Sequence, residues 1–313
     1  MISALNRRAC LRLLAGTTGI TVAGRAVLHT AFAESSDTAP LAVINLTEKH
    51  LLITGAGTNV LAVIGADSVL LVDGGSSARS AELLKLVAEK SGGKPIEFLF
   101  DTSWDPDCTG SNEAAGKSGA TIIAHENTKL WLGTEFHSRW RKVTYEPHPR
   151  AALPTKTFYE GVQKMTFGSE PVEYGYMMQA HTDGDIYVFF PKANVLVIGD
   201  VIAQKSWPFI DWWTGGWIFG VVSGLDTVLK VANDQTRIVA GQGGVMTRAD
   251  LEAQRKMFGN IAQRLRALMF GGRNVDDALA AQPTKEYNDR MGDPKDFIRL
   301  AFDSMWGHFT PDA

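Results

Sequence analysis

Two apolar hairpins, far apart in the sequence and each running out into a glycine–aspartate turn, restrict what this chain can fold into more than any other feature. Residues 59–64 and 68–73 are β-branched runs flanking Gly65-Ala66-Asp67, and Asp73-Gly74-Gly75 closes the second run. Residues 186–190 and 194–198 repeat the arrangement around Pro191-Lys192-Ala193 and end at Gly199-Asp200. Short β-branched runs bounded by turn residues read as hairpins. Between them, Leu83, Leu84, Val87 and Ala88 give residues 80–90 helical spacing, and residues 96–100 read as a buried strand that ends at a polar loop. A helix at 111–117, a strand at 121–124 and a helix at 126–132 follow. The alternation predicts an α/β fold with two sheets, each ending in a polar loop. A chain of 313 residues, 45% hydrophobic and 21% charged, has ordinary globular composition, which excludes disorder and fibres.

Residues 134–168 carry Pro147, Pro149 and Pro154 and show no period, so they read as a long surface excursion. Thr247-Arg248-Ala249-Asp250 has the pattern of a capping box, opening a helix that runs to about residue 270 and stops at Gly271-Gly272. Helices at 275–281 and 294–306 complete the chain. The segment 205–219 is aromatic and unperiodic, and its glycines and proline mark a loop. Trp207, Phe209, Trp212, Trp213 and Trp217 within it have two readings. They form a substrate-contacting surface, or they pack beneath the C-terminal helices.

The N-terminus resembles a twin-arginine export signal. Arg7-Arg8 precede an apolar stretch over residues 13–28, and Ala31-Phe32-Ala33 supplies small residues at the cleavage spacing. This implies a protein exported folded to the periplasm, with residues 1–33 removed, a main domain over 34–245 and a helical extension over 246–313 packed on it. Loss of Arg7, Arg8, Arg12 and Arg25 takes the formal net charge from −3 to −7. An acidic chain is a poor partner for nucleic acid, whose binding rests on neutralised phosphates. No span for a membrane is expected beyond the signal. Cys10 leaves with the signal, so Cys108 stays as a lone thiol that is buried, a ligand or reactive.

The loop after the strand at 96–100 reads Asp101-Thr102-Ser103-Trp104-Asp105-Pro106-Asp107-Cys108-Thr109-Gly110-Ser111-Asn112. Its frame resembles the metallo-β-lactamase superfamily loop N-T-H-x-H-x-D-H-T-G-G-N. The likeness extends in order to Asp73-Gly74-Gly75, to Ala180-His181-Thr182-Asp183-Gly184-Asp185, to Val197-Ile198-Gly199-Asp200 and to Val239-Ala240-Gly241-Gln242-Gly243. It implies the αβ/βα sandwich of that family, with C-terminal helices, and the tail around Pro283-Thr284-Lys285-Glu286 resembles exported members.

For chemistry the resemblance implies seven positions around two metals: Ser103, Asp105, His181, Asp107, Cys108, Gln242 and Asp200. Only His181, Asp107 and Asp200 keep the family's residue. Ser103 and Gln242 are poor zinc ligands, whereas Asp105 and Cys108 are ligand types of another kind. Asp105, Asp107, Cys108, His181 and Asp200 therefore stand as candidates for at most one divalent metal, zinc first, or for none. With a metal, Asp107, His181 and Asp200 would serve catalysis, water being activated against an ester, lactone or amide. The alternative is a non-catalytic periplasmic binding protein that takes a small molecule or a protein partner through the old pocket and the tryptophan loop. Carboxylates gathered there would need a cation, a proton or a basic ligand beside them. Those carboxylates also disfavour a thiolate at Cys108, making it a sluggish nucleophile. His125 reads as a structural histidine.

Overall fold

The computed structural model describes residues 40–309. Seven strands form one sheet in the order Ala42–Asn45, His50–Ala56, Thr58–Ile64, Val69–Val72, Ile96–Phe100, Thr121–His125 and Lys156–Phe158. The first four pair antiparallel, with Leu61 opposite Val72, and the last three continue in parallel. A second sheet of five strands runs Val162–Phe167, Glu170–Tyr176, Ile186–Phe190, Val195–Ala203 and Arg237–Gln242, antiparallel except for the last pair.

The period of two along each strand builds the layers. Leu52 points between the sheets with Leu61, Phe100, Val188, Val197 and Val239, while its neighbours Leu51 and Ile53 point outward beneath the helix Ser80–Ser91, against Leu83 and Val87. In the second sheet Val197 faces inward, and Leu196 and Ile198 face the helices Ile218–Val231, Arg248–Phe270 and Lys295–Phe309. Each large apolar side chain so buried contributes roughly 1.5–3 kcal/mol, which holds two sheets between two helical layers. Phe258, Ile261, Phe297 and Phe302 of the C-terminal helices lie in the same cluster as Ile198 and Val201, so the extension completes the core of the second sheet. Thr247 caps its first helix in a full capping box with Asp250.

Three expectations need correction. Residues 134–168 are not an irregular excursion. They contain the paired strands Phe136–Ser138 and Val143–Tyr145 and edge strands of both sheets, and Phe136 and Tyr145 pack on the buried Trp104. The strands Ala42–Asn45, His50–Ala56 and Glu170–Tyr176 add to those expected. The end of the aromatic segment turns into the helix Ile218–Val231. The export signal lies outside the described residues. Among the described residues no helix is long and apolar enough to cross a membrane.

Candidate functional site

The loops that follow the strands meet along one edge of the two sheets. Asp73, just past Val69–Val72, adopts φ 65°, and its buried carboxylate accepts from the Thr102 amide at 2.8 Å and the Thr102 hydroxyl at 2.9 Å. Burial pushes its pKa well above the ordinary range. At the next residue of this loop, Ser103 Oγ accepts from the Asp105 amide at 3.2 Å and donates to Cys108 Sγ at 3.6 Å.

Asp105 is built in by local chemistry. It caps the short helix Pro106–Thr109, with proline at the first helical position, and its Oδ1 accepts from the Asp107 amide at 3.0 Å. That leaves Oδ2 facing inward. Arg141, from the turn between Phe136–Ser138 and Val143–Tyr145, donates to Oδ2 from Nη2 at 2.5 Å. Its Nη1 donates to the Tyr145 hydroxyl at 3.3 Å, and its guanidinium lies 4.4 Å from the Phe209 ring and 5.8 Å from the Trp104 ring. Burial alone would lift the Asp105 carboxyl, but Arg141 and then His181 outweigh it and hold the pKa below the usual carboxylate range.

His181 is buried, with Nε2 4.0 Å from the same Asp105 Oδ2 and Nδ1 3.6 Å from Asp185 Oδ1. The second contact is too long for a good hydrogen bond, so Asp185 acts mainly through its charge. Burial opposes protonation of the ring, yet Asp185, Asp105 and Asp200 together lift its pKa to about 9. Asp185 is oriented by the Thr182 amide and hydroxyl, both at 2.8 Å.

Asp200 lies within the inner strand Val195–Ala203, just past an irregularity at Gly199 and short of the strand's end, which the sequence pattern puts at Gly199-Asp200; both its oxygens are engaged. Oδ1 accepts from the Thr58 hydroxyl at 3.0 Å and Oδ2 from the Cys108 thiol at 3.1 Å. Burial and the nearby Asp105 charge lift its pKa. Cys108 is fully buried, and burial together with Asp200, Asp73 and Asp105 pushes its thiol up, so it stays protonated and donates. Asn59 ties the two sheets together here, its Nδ2 donating to the carbonyls of Ala240 at 2.8 Å and Gly243 at 2.9 Å. A cleft of about 430 Å³ opens beside Asp200, lined by Thr54, Gly57, Thr58, Asn59, Gln242 and Gly243.

The structure therefore brings Asp105, Cys108, His181 and Asp200 together. Asp107 lies to one side, its Oδ1 against Gly57, and Gln242 lines the cleft. The aromatic segment divides between its two readings. Trp207 stacks on Phe297 at 4.6 Å and donates to the Gly292 carbonyl, and Trp217 stacks on His308 at 4.1 Å, so both are covered by the C-terminal helices, not presented to a substrate. Trp212 packs against the same core. Phe209 faces the site between Arg141 and His181. Trp213 is 38% exposed with Arg139 5.2 Å from its ring. His125 is stacked on Tyr176 and accepts from the Asn127 amide, as a structural histidine would.

Sequence reading missed Arg141, Thr58, Asp185 and Asp211. Asp185 stands in a segment already singled out, and Thr58 directly precedes the run over 59–64. Asp211, buried with Oδ2 unpartnered, sits in the aromatic loop, and burial raises its pKa against the pull of Arg141 and His181. Nothing local marks Arg141.

The sequence profile of the metallo-beta-lactamase superfamily matches residues 53–272. The chain belongs to this superfamily. No curated protein matches the sequence. Among solved structures, the metallo-beta-lactamase from Pontibacter korlensis is 17% identical, with a TM-score of 0.56 over 71% of this chain and 100% of that one. The metallo-beta-lactamase from Hirschia baltica is 17% identical, with a TM-score of 0.56 over 70% and 98%. A stereoselective inverting sec-alkylsulfatase from Pseudomonas sp. is 13% identical, with a TM-score of 0.63 over 87% of this chain and 51% of its own. This chain thus spans about half the sulfatase's length, and the shared part reaches into the C-terminal helices.

Superfamily members typically bind zinc, and the donor set here does not fit a metal pair. Among the described residues no three His, Cys, Asp or Glu side chains are gathered as an ion requires. The chemistry of the donors agrees. Both oxygens of Asp200 hold hydroxyl or thiol protons, Cys108 is the proton donor to it, and Asp105 Oδ2 is held by a guanidinium.

Proposed function

We propose that this superfamily member is a ligand-binding protein of hydrolase ancestry, which takes a small molecule in the cleft beside Asp200 and does not turn it over by the two-zinc route. One observation carries the reading. Three of the candidate ligands are already engaged within the protein, Cys108 donating to Asp200 and Arg141 donating to Asp105. Phe209, beside His181 and Arg141, and the exposed Trp213 of the same segment suit an apolar or aromatic ligand, or a protein partner. Export in folded form to the periplasm belongs to the proposal and rests on Arg7-Arg8 and Ala31-Phe32-Ala33.

A second reading, a single-metal hydrolase at Asp105, Asp107, His181 and Asp200, is favoured by one distance: His181 Nε2 and Asp105 Oδ2 face each other at 4.0 Å. A panel of esters, lactones, amides, β-lactams and alkyl sulfates, the last because of the likeness to the sulfatase, separates the two. The binding reading expects no turnover with or without added zinc, together with thermal stabilisation by at least one compound of the panel. Turnover that is lost in Asp200→Asn would establish the hydrolase.

A further inference from the structure

We propose that Arg141 is the resident cation of this site, its guanidinium holding the carboxylate that a metal would otherwise bridge to His181. The inference deepens the binding reading and concerns only what neutralises the site. Asp105 Oδ2 is the inward-facing oxygen, because Oδ1 is committed to capping the helix Pro106–Thr109. On that one oxygen converge Arg141 Nη2 at 2.5 Å and His181 Nε2 at 4.0 Å. An ion coordinated by both Asp105 Oδ2 and His181 Nε2 would have to take the oxygen that the guanidinium already holds, and its like charge would be repelled there, so the arginine competes with a metal for Asp105.

The guanidinium is fixed from three further sides. The Tyr145 hydroxyl accepts from Nη1, and Phe209 and Trp104 present their rings to its charge. The side chain is only 26% exposed, and Asp105 only 7%. Arg139, two residues away in the same turn, lies 5.2 Å from the ring of Trp213. The strand pair Phe136–Ser138 and Val143–Tyr145 is therefore pinned to the aromatic segment at two points, and it delivers the arginine as a fixed part of the fold. The remaining carboxylate of the pair, Asp200, accepts from the Cys108 thiol on Oδ2 and shares the Thr58 hydroxyl with the Gly241 carbonyl on Oδ1, so it too is held by donors of this chain.

The test uses the exported chain as purified, with zinc alone as the probe. In the wild-type protein, zinc is expected to be absent after dialysis, and neither zinc nor EDTA should move the melting temperature. In Arg141→Ala, Asp105 and His181 lose their competitor, and zinc should raise the melting temperature by at least about 4 °C. That rise should vanish in Arg141→Ala combined with Asp105→Asn. Stoichiometric zinc retained by the wild-type protein, or a fall in its melting temperature with EDTA, overturns the proposal without any variant. A folded Arg141→Ala indifferent to zinc also overturns it. Should that variant fold only with zinc, the proposal stands. Should it fold in neither condition, Arg141→Met, which keeps an apolar stem against Phe209 and Trp104, is read by the same criterion. Hydrolysis by the zinc-free wild-type protein would end the binding reading and leave this inference standing, so the two fail separately.

Discussion

Asp183 offers the sharpest quantitative test of how the loop carrying His181 is held. Its Oδ1 accepts from the Trp131 indole at 2.8 Å, while burial, aided by Asp185 and Asp211, lifts its pKa from the ordinary 3.8 to about 6. Each tenfold in proton affinity is about 1.4 kcal/mol, so ionising this carboxyl in the folded protein costs about 3 kcal/mol more than in the unfolded chain. Water reaches the half-buried group and reduces that to about 1–2 kcal/mol. The sign follows from proton uptake. Between pH 4 and 6 the folded protein binds more protons than the unfolded one, so this contribution is full below pH 4 and is lost as pH rises through 6. Asp183→Asn keeps the acceptor for Trp131 and removes the charge. It should leave stability unchanged at pH 4 and add about 1–2 kcal/mol at pH 8, read by urea unfolding followed through tryptophan fluorescence at both pH values. A variant less stable than wild type at pH 8, or one whose difference is the same at both pH values, refutes the reasoning.

His50 should act in the opposite direction. Burial, then Arg237 and Lys49, lower its pKa to about 4, so the unfolded chain takes up the extra proton below pH 6.5 and up to about 3 kcal/mol of stability is lost as pH falls to 4; His50→Gln should flatten that loss in pH-dependent urea unfolding. A methyl group at Gly241 would overlap the Asp200 carboxylate and approach its backbone, which a side-chain rotation cannot relieve, so Gly241→Ala should destabilise by about 1–3 kcal/mol and lower the melting temperature. Installing Ser103→His, Asp105→His, Cys108→His and Gln242→His should restore a two-zinc site, measured by elemental analysis after dialysis, only when Arg141→Ala is added, since the guanidinium stands on position 105.

The parts of this fold that were legible in the sequence are those whose cause is local. Residues 96–100 carry a buried strand pattern and residues 126–132 a helix between turn signals, and both appear with those bounds. The strand Ala42–Asn45 gave no such signal, because it lies at a sheet edge with mostly exposed side chains and no apolar alternation. The helix Ile218–Val231 was hidden by its glycines. Gly220 weakens helix propensity, yet a Cβ there would overlap the Gln179 carbonyl, so close packing on the neighbouring loop outweighs intrinsic preference.

The site divides along the same line. The resemblance to the superfamily's ordered frames implied that Asp105, Asp107, Cys108, His181 and Asp200 share one neighbourhood, and the structure gathers Asp105, Cys108, His181 and Asp200 while Asp107 lies to one side against Gly57. The need for a cation, a proton or a basic ligand among them was legible too, since carboxylates held close in a buried site cannot all ionise unaided. What no local pattern could supply is which cation answers the need. Arg141 reaches Asp105 across 36 positions, from a segment whose prolines and lack of period read as surface, and only the packing of Phe136 and Tyr145 on Trp104 folds it back. Asp105, standing where the resembled loop has a histidine, and Arg141 are therefore one unit of this site, the guanidinium answering the carboxylate. Asp200 is held by a hydroxyl and a thiol, whereas the inward oxygen of Asp105 is held by a guanidinium, so the two carboxylates of the pocket are accommodated in different ways.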